Sequence, residues 1–348
     1  MRLLILGTGA MASNQATHFA AIEGVKLVGA VDVDPTRLAA FCDGHAIPKR
    51  FSTLEEALAL GKFDAVTNVT PDSAHHATSM KIIAAGKHIF CEKPLATDHA
   101  KADEMTAAAE KAGLVAMVNL TYRNVAQLQK AREMVLAGAV GEVRHVEASY
   151  LQSWLVSRAW GDWRTEPRWL WRLSTEHGSN GVLGDIGVHI LDFAVFGSGL
   201  DITRAFGRLQ TFHKADHDKI GDYKLDANDS FAMSVEFANG ALGVIHASRF
   251  ATGYLNTLRL RVFGDKGAIE VQHGTDGSTL RACIGEDAEA PVWKDVAVDP
   301  VQTNYQRFVE AVAAGVSLDP TFRHAANLQR IIDLAVQTDR DRKELPVG

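Results

Sequence analysis

Short apolar runs and amphipathic stretches alternate through the first third of the chain. Residues 3–6, 25–31, 65–69, 88–91 and 114–118 are strand-length runs dominated by apolar side chains. Between them lie helical stretches: one after residues 7–12 and running to about Ile22, one begun by Asp34-Pro35, 54–58, 77–85 stopped by Gly86, and 98–112 stopped by Gly113. Apolar strands regularly separated by helices predict an α/β unit with a doubly wound parallel sheet.

Around Tyr122 the pattern changes. Residues 125–136 read as an amphipathic helix ended by Gly138 and Gly141, and 143–152 as a strand. Further strands are expected at 202–211, 230–237, 241–250, 258–263, 268–272 and 280–284, with turn signals at Asn239-Gly240 and Asp265-Lys266-Gly267. This second region should hold a large, mainly antiparallel sheet. A helix is expected at 181–196, an exposed polar excursion at 213–226 with solvated His213 and His217, and two closing helices at 301–314 and 323–339. The chain length of 348 residues also favours two domains, placed at 1–121 and 122–348.

Composition narrows the function classes. Hydrophobic residues make up 47% and charged residues 22%, as in an ordinary globular protein. Net charge is −6 and no Lys/Arg block occurs, so nothing favours a nucleic-acid partner. No apolar run is long enough to span a membrane. Met1 leads straight into the first strand, without room for a signal peptide. Cys42, Cys91 and Cys283 are few and odd in number, which fits a reducing, cytoplasmic setting.

The first strand runs into Gly7-Thr8-Gly9-Ala10-Met11-Ala12 and then a helix. In that context Gly7 permits a tight turn, Gly9 lets backbone approach a pyrophosphate, and Ala12 allows close helix–strand packing. The helix amino terminus then offers N–H groups to phosphates. The second strand ends at Asp32, where an acid takes the ribose hydroxyls of NAD and repels a 2′-phosphate. Arg37 nearby leaves NADP use open. Asp32 could instead cap the helix that begins at Asp34-Pro35.

The later strands end in polar clusters on the same crevice: Thr70-Pro71 with His75, Glu92-Lys93-Pro94, and Asn119 through Tyr122 and Arg123. Pro94 stops its strand and keeps Lys93 extended. Downstream, Asp185 and His189 are four residues apart on the expected helix and share a face, with Asp192 one turn on. Asp-x-x-x-His is also half a metal site, but no further ligand cluster accompanies it and no metal is expected. Residues 154–172 hold Trp154, Trp160, Trp163, Trp169 and Trp171 with Arg158, Arg164, Arg168 and Arg172. Such a stretch suits stacking on sugar rings and suits a protein interface, and both readings stay open.

The glycine turn, Thr70-Pro71 with His75, Glu92-Lys93-Pro94, and Gly184-Asp185-Ile186-Gly187-Val188-His189 with Asp192 together resemble the glucose–fructose oxidoreductase / inositol dehydrogenase / MocA family. The resemblance covers essentially the whole chain. It implies an N-terminal Rossmann domain, a C-terminal α+β domain, and a terminal helix packing back on the Rossmann domain. It further implies a homodimer or homotetramer through the C-terminal sheet. The implied activity is an NAD(P)-dependent dehydrogenase of sugars, polyols or cyclitols.

By that resemblance Lys93 works at the alcohol oxygen, and Asp185 and His189 complete the catalytic set. Cofactor contacts are expected from Gly7, Gly9, Ala10, Met11, Asp32, Arg37, Thr70, Pro71, His75, Glu92, Lys93 and Asn119. Substrate contacts are expected from Lys93, Tyr122, Arg123, Trp154, Trp163, Arg172, Asp185 and His189. A free lysine, with a pKa near ~10.4, is a poor base at neutral pH, so Lys93 and His189 both stand as the terminal base. Alternatives are a non-catalytic nucleotide-sensing regulator or scaffold, and an NADP-linked reductase of a keto-sugar, imine or diol.

Overall fold

Strand β1 (Arg2–Leu6) lies inside a six-stranded parallel sheet, flanked by β2 (Lys26–Val31) and β4 (Ala65–Asn68). The computed structural model describes residues 1–348. With β3 (Arg50–Phe51), β5 (His88–Cys91) and β6 (Ala116–Val118), the strand order is β3-β2-β1-β4-β5-β6. The order reverses between β1 and β4, the position at which open α/β sheets bind ligands. The two-residue β3 is the one strand of this sheet that the apolar pattern does not reveal.

The connecting helices are α1 (Ala10–Ala20), α2 (Pro35–Gly44), α3 (Leu54–Leu60), α4 (Asp72–Ala84) and α5 (His99–Lys111). Their starts are set by local chemistry. Asp34 caps α2, accepting from the Thr36 and Arg37 N–H groups with Pro35 in the first turn. Thr53 caps α3 and Asp98 caps α5 in the same way. Asp34, not Asp32, therefore caps this helix.

The chain divides into two compact units, residues 1–121 with 302–329, and residues 122–301 with 330–348. Segment 302–329, which the pattern alone places in the second domain, belongs to the first. The reason is apolar: Tyr305, Phe308 and Ala311 fill one core cluster with Leu3, Phe19 and Phe90. Phe19 meets Phe90 edge-on at 5.4 Å between centroids, and Phe308 lies 5.2 Å from Phe90.

In the second unit nine strands form a mixed sheet, in the spatial order Lys294–Asp295, Gly277–Ile284, Gly267–Gly274, Asn256–Gly264, Val143–Gln152, Leu242–Ser248, Ser230–Phe237, Ile202–Gln210 and Leu345–Pro346. Every neighbouring pair is antiparallel except Val143–Gln152 with Leu242–Ser248. The helix Val188–Ser198 is buried along its length and packs on this sheet. It is preceded by a π-helical turn, Leu183–Gly187, where the sequence suggests uninterrupted α-helix. Such turns recur at functional sites.

Two segments differ from expectation. Residues 213–226 are not merely a solvated excursion: Lys214 is buried in an ion pair with Asp229 at 2.8 Å. The tryptophan-rich segment folds into a small core of its own, in which Trp154, Leu155, Trp163, Leu170 and Leu173 pack with Leu225. The three cysteines are buried and unpaired. No helix is long and apolar enough to cross a membrane.

Candidate active site

A cavity of ≈ 750 Å³ opens at the carboxyl ends of β1, β2 and β4. Gly7, Gly9, Ala10 and Met11 supply one wall. Gly7 has φ +90°, and a Cβ built on it would meet the Val69 carbonyl oxygen at 2.6 Å, so only glycine fits this turn. A Cβ on Gly9 would meet nothing within 4 Å, so the space beside it is open to a ligand. Gly9 also stands at the amino terminus of α1 with no side-chain cap, leaving the first N–H groups of the helix for an anion.

Asp32 and Arg37 line the same cavity from the end of β2. Asp32 Oδ2 accepts from the Thr8 N–H (2.9 Å), the Thr8 hydroxyl (2.6 Å) and Arg37 Nε (3.1 Å). Oδ1 accepts from Arg37 Nη2 (2.6 Å) and the Asp34 N–H (2.9 Å). Burial alone would raise this acid, but the Arg37 and Thr8 donors outweigh it and hold the carboxyl well below the usual carboxylate range. A ribose diol must compete with the half-exposed Arg37 for these oxygens.

Thr70 and Pro71 form the wall from β4. His75, expected at the cofactor, is instead fully buried and does not line the cavity. Glu92 and Asn119 are likewise buried and turned to each other. Asn119 Nδ2 donates to Glu92 Oε1 at 2.7 Å, and Gln15 Nε2 donates to the same oxygen. The Lys93 N–H donates to Glu92 Oε2 at 3.2 Å. Gln15 in turn accepts from the Thr67 hydroxyl, so β1–α1, β4 and β5 are stitched together beneath the Lys93 turn. Lys93 itself is half-buried, at a cis peptide bond to Pro94.

In the second unit Asp185 sits within the π turn and His189 one turn later. Asp185 Oδ2 accepts from Arg249 Nη2 at 2.9 Å and lies 3.7 Å from Arg172 Nε. Arg249 is wholly buried, donates from Nη1 to the Arg172 carbonyl at 3.1 Å, and lies 4.9 Å over the Trp154 ring. Tyr122 stands edge-on to the His189 ring, 5.0 Å between centroids. Its hydroxyl closes a triangle with Tyr150 and Asn256: Tyr150 donates to Asn256 Oδ1 (2.7 Å) and Asn256 Nδ2 to Tyr122 (3.2 Å). Since the Tyr150 proton is used on Asn256, Tyr122 is the donor to Tyr150. Burial and the neighbouring Tyr122 push Tyr150 well above the ordinary tyrosine range.

Three residues expected at the substrate are occupied elsewhere. Arg123 is buried in a forked pair with Asp192, with contacts of 2.6–2.9 Å, and stacks 3.6 Å over Phe196. Trp154 and Trp163 are 2% and 3% exposed, and Trp163 Nε1 donates to the Leu155 carbonyl at 3.2 Å. Their faces are covered by the small core, because a long loop must bury its own aromatics to be ordered at all.

A sequence model described as the oxidoreductase family with an NAD-binding Rossmann fold matches residues 1–120, and one for the GFO/IDH/MocA C-terminal domain matches residues 128–270. The chain belongs to the GFO/IDH/MocA family of oxidoreductases. It is 30% identical over 260 residues to 1,5-anhydro-D-fructose reductase of Ensifer adhaerens, spanning 74% of this chain and 68% of that protein. It is 25% identical over 306 residues to levoglucosan dehydrogenase of Pseudarthrobacter phenanthrenivorans, spanning 77% and 76% of the two chains. An oxidoreductase domain protein from Kribbella flavida has the same fold at a TM-score of 0.87 and 27% identity, covering 99% and 98% of the two chains.

As a member of this family the protein is an NAD-binding oxidoreductase, and its own residues fit that cofactor. The open space beside Gly9 and the uncapped α1 terminus suit a pyrophosphate, and Asp32 suits a ribose. Thr8, Gln15, Arg249 and Asn256 are site residues that sequence reasoning missed. Thr8 occupies an unconstrained position of the glycine motif. Arg249, directly after a strand, offered the one usable signal: a charge where the alternating pattern should continue apolar.

Proposed function

We propose that this protein is an NAD-dependent dehydrogenase acting on a secondary alcohol of a sugar, glycoside or cyclitol, with the reverse reduction of the ketone open to it and NADP as a second cofactor. The observation that carries this is the cavity in which the Gly7–Gly9 turn and Asp32 meet, in a chain that retains Lys93, Asp185 and His189. The relatives named for levoglucosan and 1,5-anhydro-D-fructose support a ring substrate.

NAD, when bound, supplies the hydride acceptor. Oxidation of the alcohol also releases its hydroxyl proton, which a positioned side chain must take. Lys93 Nζ and the His189 ring are the groups we assign to that proton. Asp185 is held by Arg249 one turn before His189. Tyr122, held by Tyr150 and Asn256, fixes the edge of the His189 ring.

A cytoplasmic setting is supported by the three unpaired thiols. Assembly as a homodimer or homotetramer through the second unit's sheet is supported by Leu242 and Val244, which are exposed on one of its strands.

The test is reduced-nicotinamide formation from NAD and NADP with a panel of inositols, aldoses and pyranosides. Turnover of one group of rings is expected, with Lys93→Ala slower by about 10²–10⁴-fold. Wild-type-like turnover in Lys93→Ala would sink the proton role. Absence of NADH binding would sink the dehydrogenase reading itself.

A further inference from the structure

His75 lies in the first turn of α4, fully buried. Its Nδ1 is 2.7 Å from the Pro94 carbonyl oxygen and its Nε2 is 2.9 Å from the Thr70 carbonyl oxygen. A carbonyl oxygen has no proton to give, so each ring nitrogen must supply one. A neutral imidazole has a single N–H. With either tautomer, a nitrogen lone pair would face a carbonyl oxygen at hydrogen-bond distance, and that carbonyl would lose the ring as its donor.

We propose that His75 is a buried imidazolium that acts as a positioning residue, tying the Thr70–Pro71 wall of the cofactor cavity to the Lys93–Pro94 turn. It touches neither cofactor nor substrate. It works by holding two main-chain carbonyls, one from each loop, with charge-assisted bonds. Its part in cofactor binding rests on the NAD reading given above, whereas its charge does not.

The surroundings bear this out electrostatically. Burial opposes the charge, but the Cys91 sulphur on β5 and the Asp72 carboxylate on its own helix favour it, as does the Pro94 carbonyl. The balance raises the ring to about 9. A charged ring keeps both bonds through the neutral range, and they weaken only as alkali removes a proton.

The experiment uses the intact protein labelled with 15N-histidine, the His75 ring assigned by correlation to its backbone, so that no variant is required. NADH affinity is followed by fluorescence in parallel from pH 7 to pH 10. Both His75 nitrogens are expected at protonated shifts at pH 7, and NADH affinity is expected to fall at least tenfold in step with their titration. An unprotonated ring nitrogen at pH 7 overturns the charge. Titration of the ring without loss of NADH affinity overturns the positioning role. No NADH binding at pH 7 overturns the NAD reading and the cofactor role together, while the ring shifts still decide the charge. His75→Gln, neutral at every pH, should bind NADH at least tenfold more weakly at pH 7 and lose the alkaline dependence; wild-type affinity and slope in that variant would also overturn the role.

Discussion

Arg249, shielded completely from solvent, donates from Nη2 to Asp185 Oδ2 at 2.9 Å. Asp185 is thus the solvent-reaching end of a row of charges. Arg249 stands behind it, and Asp229, itself paired with buried Lys214, favours the Arg249 charge from the other side. Arg249→Met takes the cation from behind Asp185, whose carboxylate still reaches solvent, so the loss should be about 1–3 kcal/mol, the worth of a charged hydrogen bond. The expected result is a lower urea midpoint at unchanged slope. Arg249→Lys keeps the charge but not the fork. It should retain more stability yet lose about ten- to a hundredfold in kcat, because Asp185 loses its orientation.

Asp32 accepts five hydrogen bonds at the end of β2, and its assignment to the cofactor ribose is testable. Asp32→Ser removes the charge that repels a 2′-phosphate and releases Arg37 to bind one. The ratio of kcat/KM for NADP over NAD should rise by on the order of a hundredfold. Adding Arg37→Ala should abolish the gain. An unchanged ratio in Asp32→Ser would place the ribose elsewhere.

Acid should act through the same carboxylate. The folded-state pKa of Asp32 is shifted downward, so in the window below the ordinary aspartate value, about 4, the unfolded chain binds the extra proton. Its contribution is complete above that value and is lost as pH falls through the lower folded value. Urea midpoints at pH 5 and pH 3 should therefore drop further for the wild type than for Asp32→Asn.

Arg123 and Asp192 form a buried ion pair at 2.6 Å. Asp192→Asn takes the negative charge from beside the buried arginine and should destabilise by about 3–5 kcal/mol. Arg123→Met with Asp192→Leu should recover most of that loss. Sugar KM should be unaffected in the double variant; a large KM change would return Arg123 to the substrate.

The tryptophan segment separates two effects. Trp163→Ala empties the small core and should cost about 3–5 kcal/mol of stability. Trp171 is 38% exposed, beside Arg172, and is the most exposed tryptophan of the segment. Trp171→Ala should raise sugar KM by roughly two- to tenfold, from about 0.5–1.5 kcal/mol of stacking, with little change in stability.

The parallel sheet, the glycine turn and Asp32 were legible because each is written locally: an apolar run, a turn that only Gly7 satisfies, an acid at a strand end. Thr70, Pro71, Ala10 and Met11 follow from the same strand ends, and all four line the cavity. What escaped depends on distant partners. Gln15 meets Glu92 across 77 residues and Arg249 meets Asp185 across 64, and no local periodicity encodes such pairs. The π turn escaped because Leu183 and Ile186 fit either helical period. Trp154 and Trp163 were read by type alone, and a ring buried in its own loop has the same composition as one offered to a sugar.

The return of residues 302–329 to the first unit has a consequence in time. On the ribosome, the strands carrying Leu3 and Phe90 are finished long before Tyr305 and Phe308, which complete their core, have been made. The intervening stretch is roughly 180 residues. At 5–20 residues per second that is a delay on the order of 10–40 s. Ribosome-stalled chains ending at residue 300 should be cut readily by protease within the first hundred residues, and those carrying all 348 should resist. Throughout that delay the aromatic face around Phe19 and Phe90 is a natural client for a chaperone.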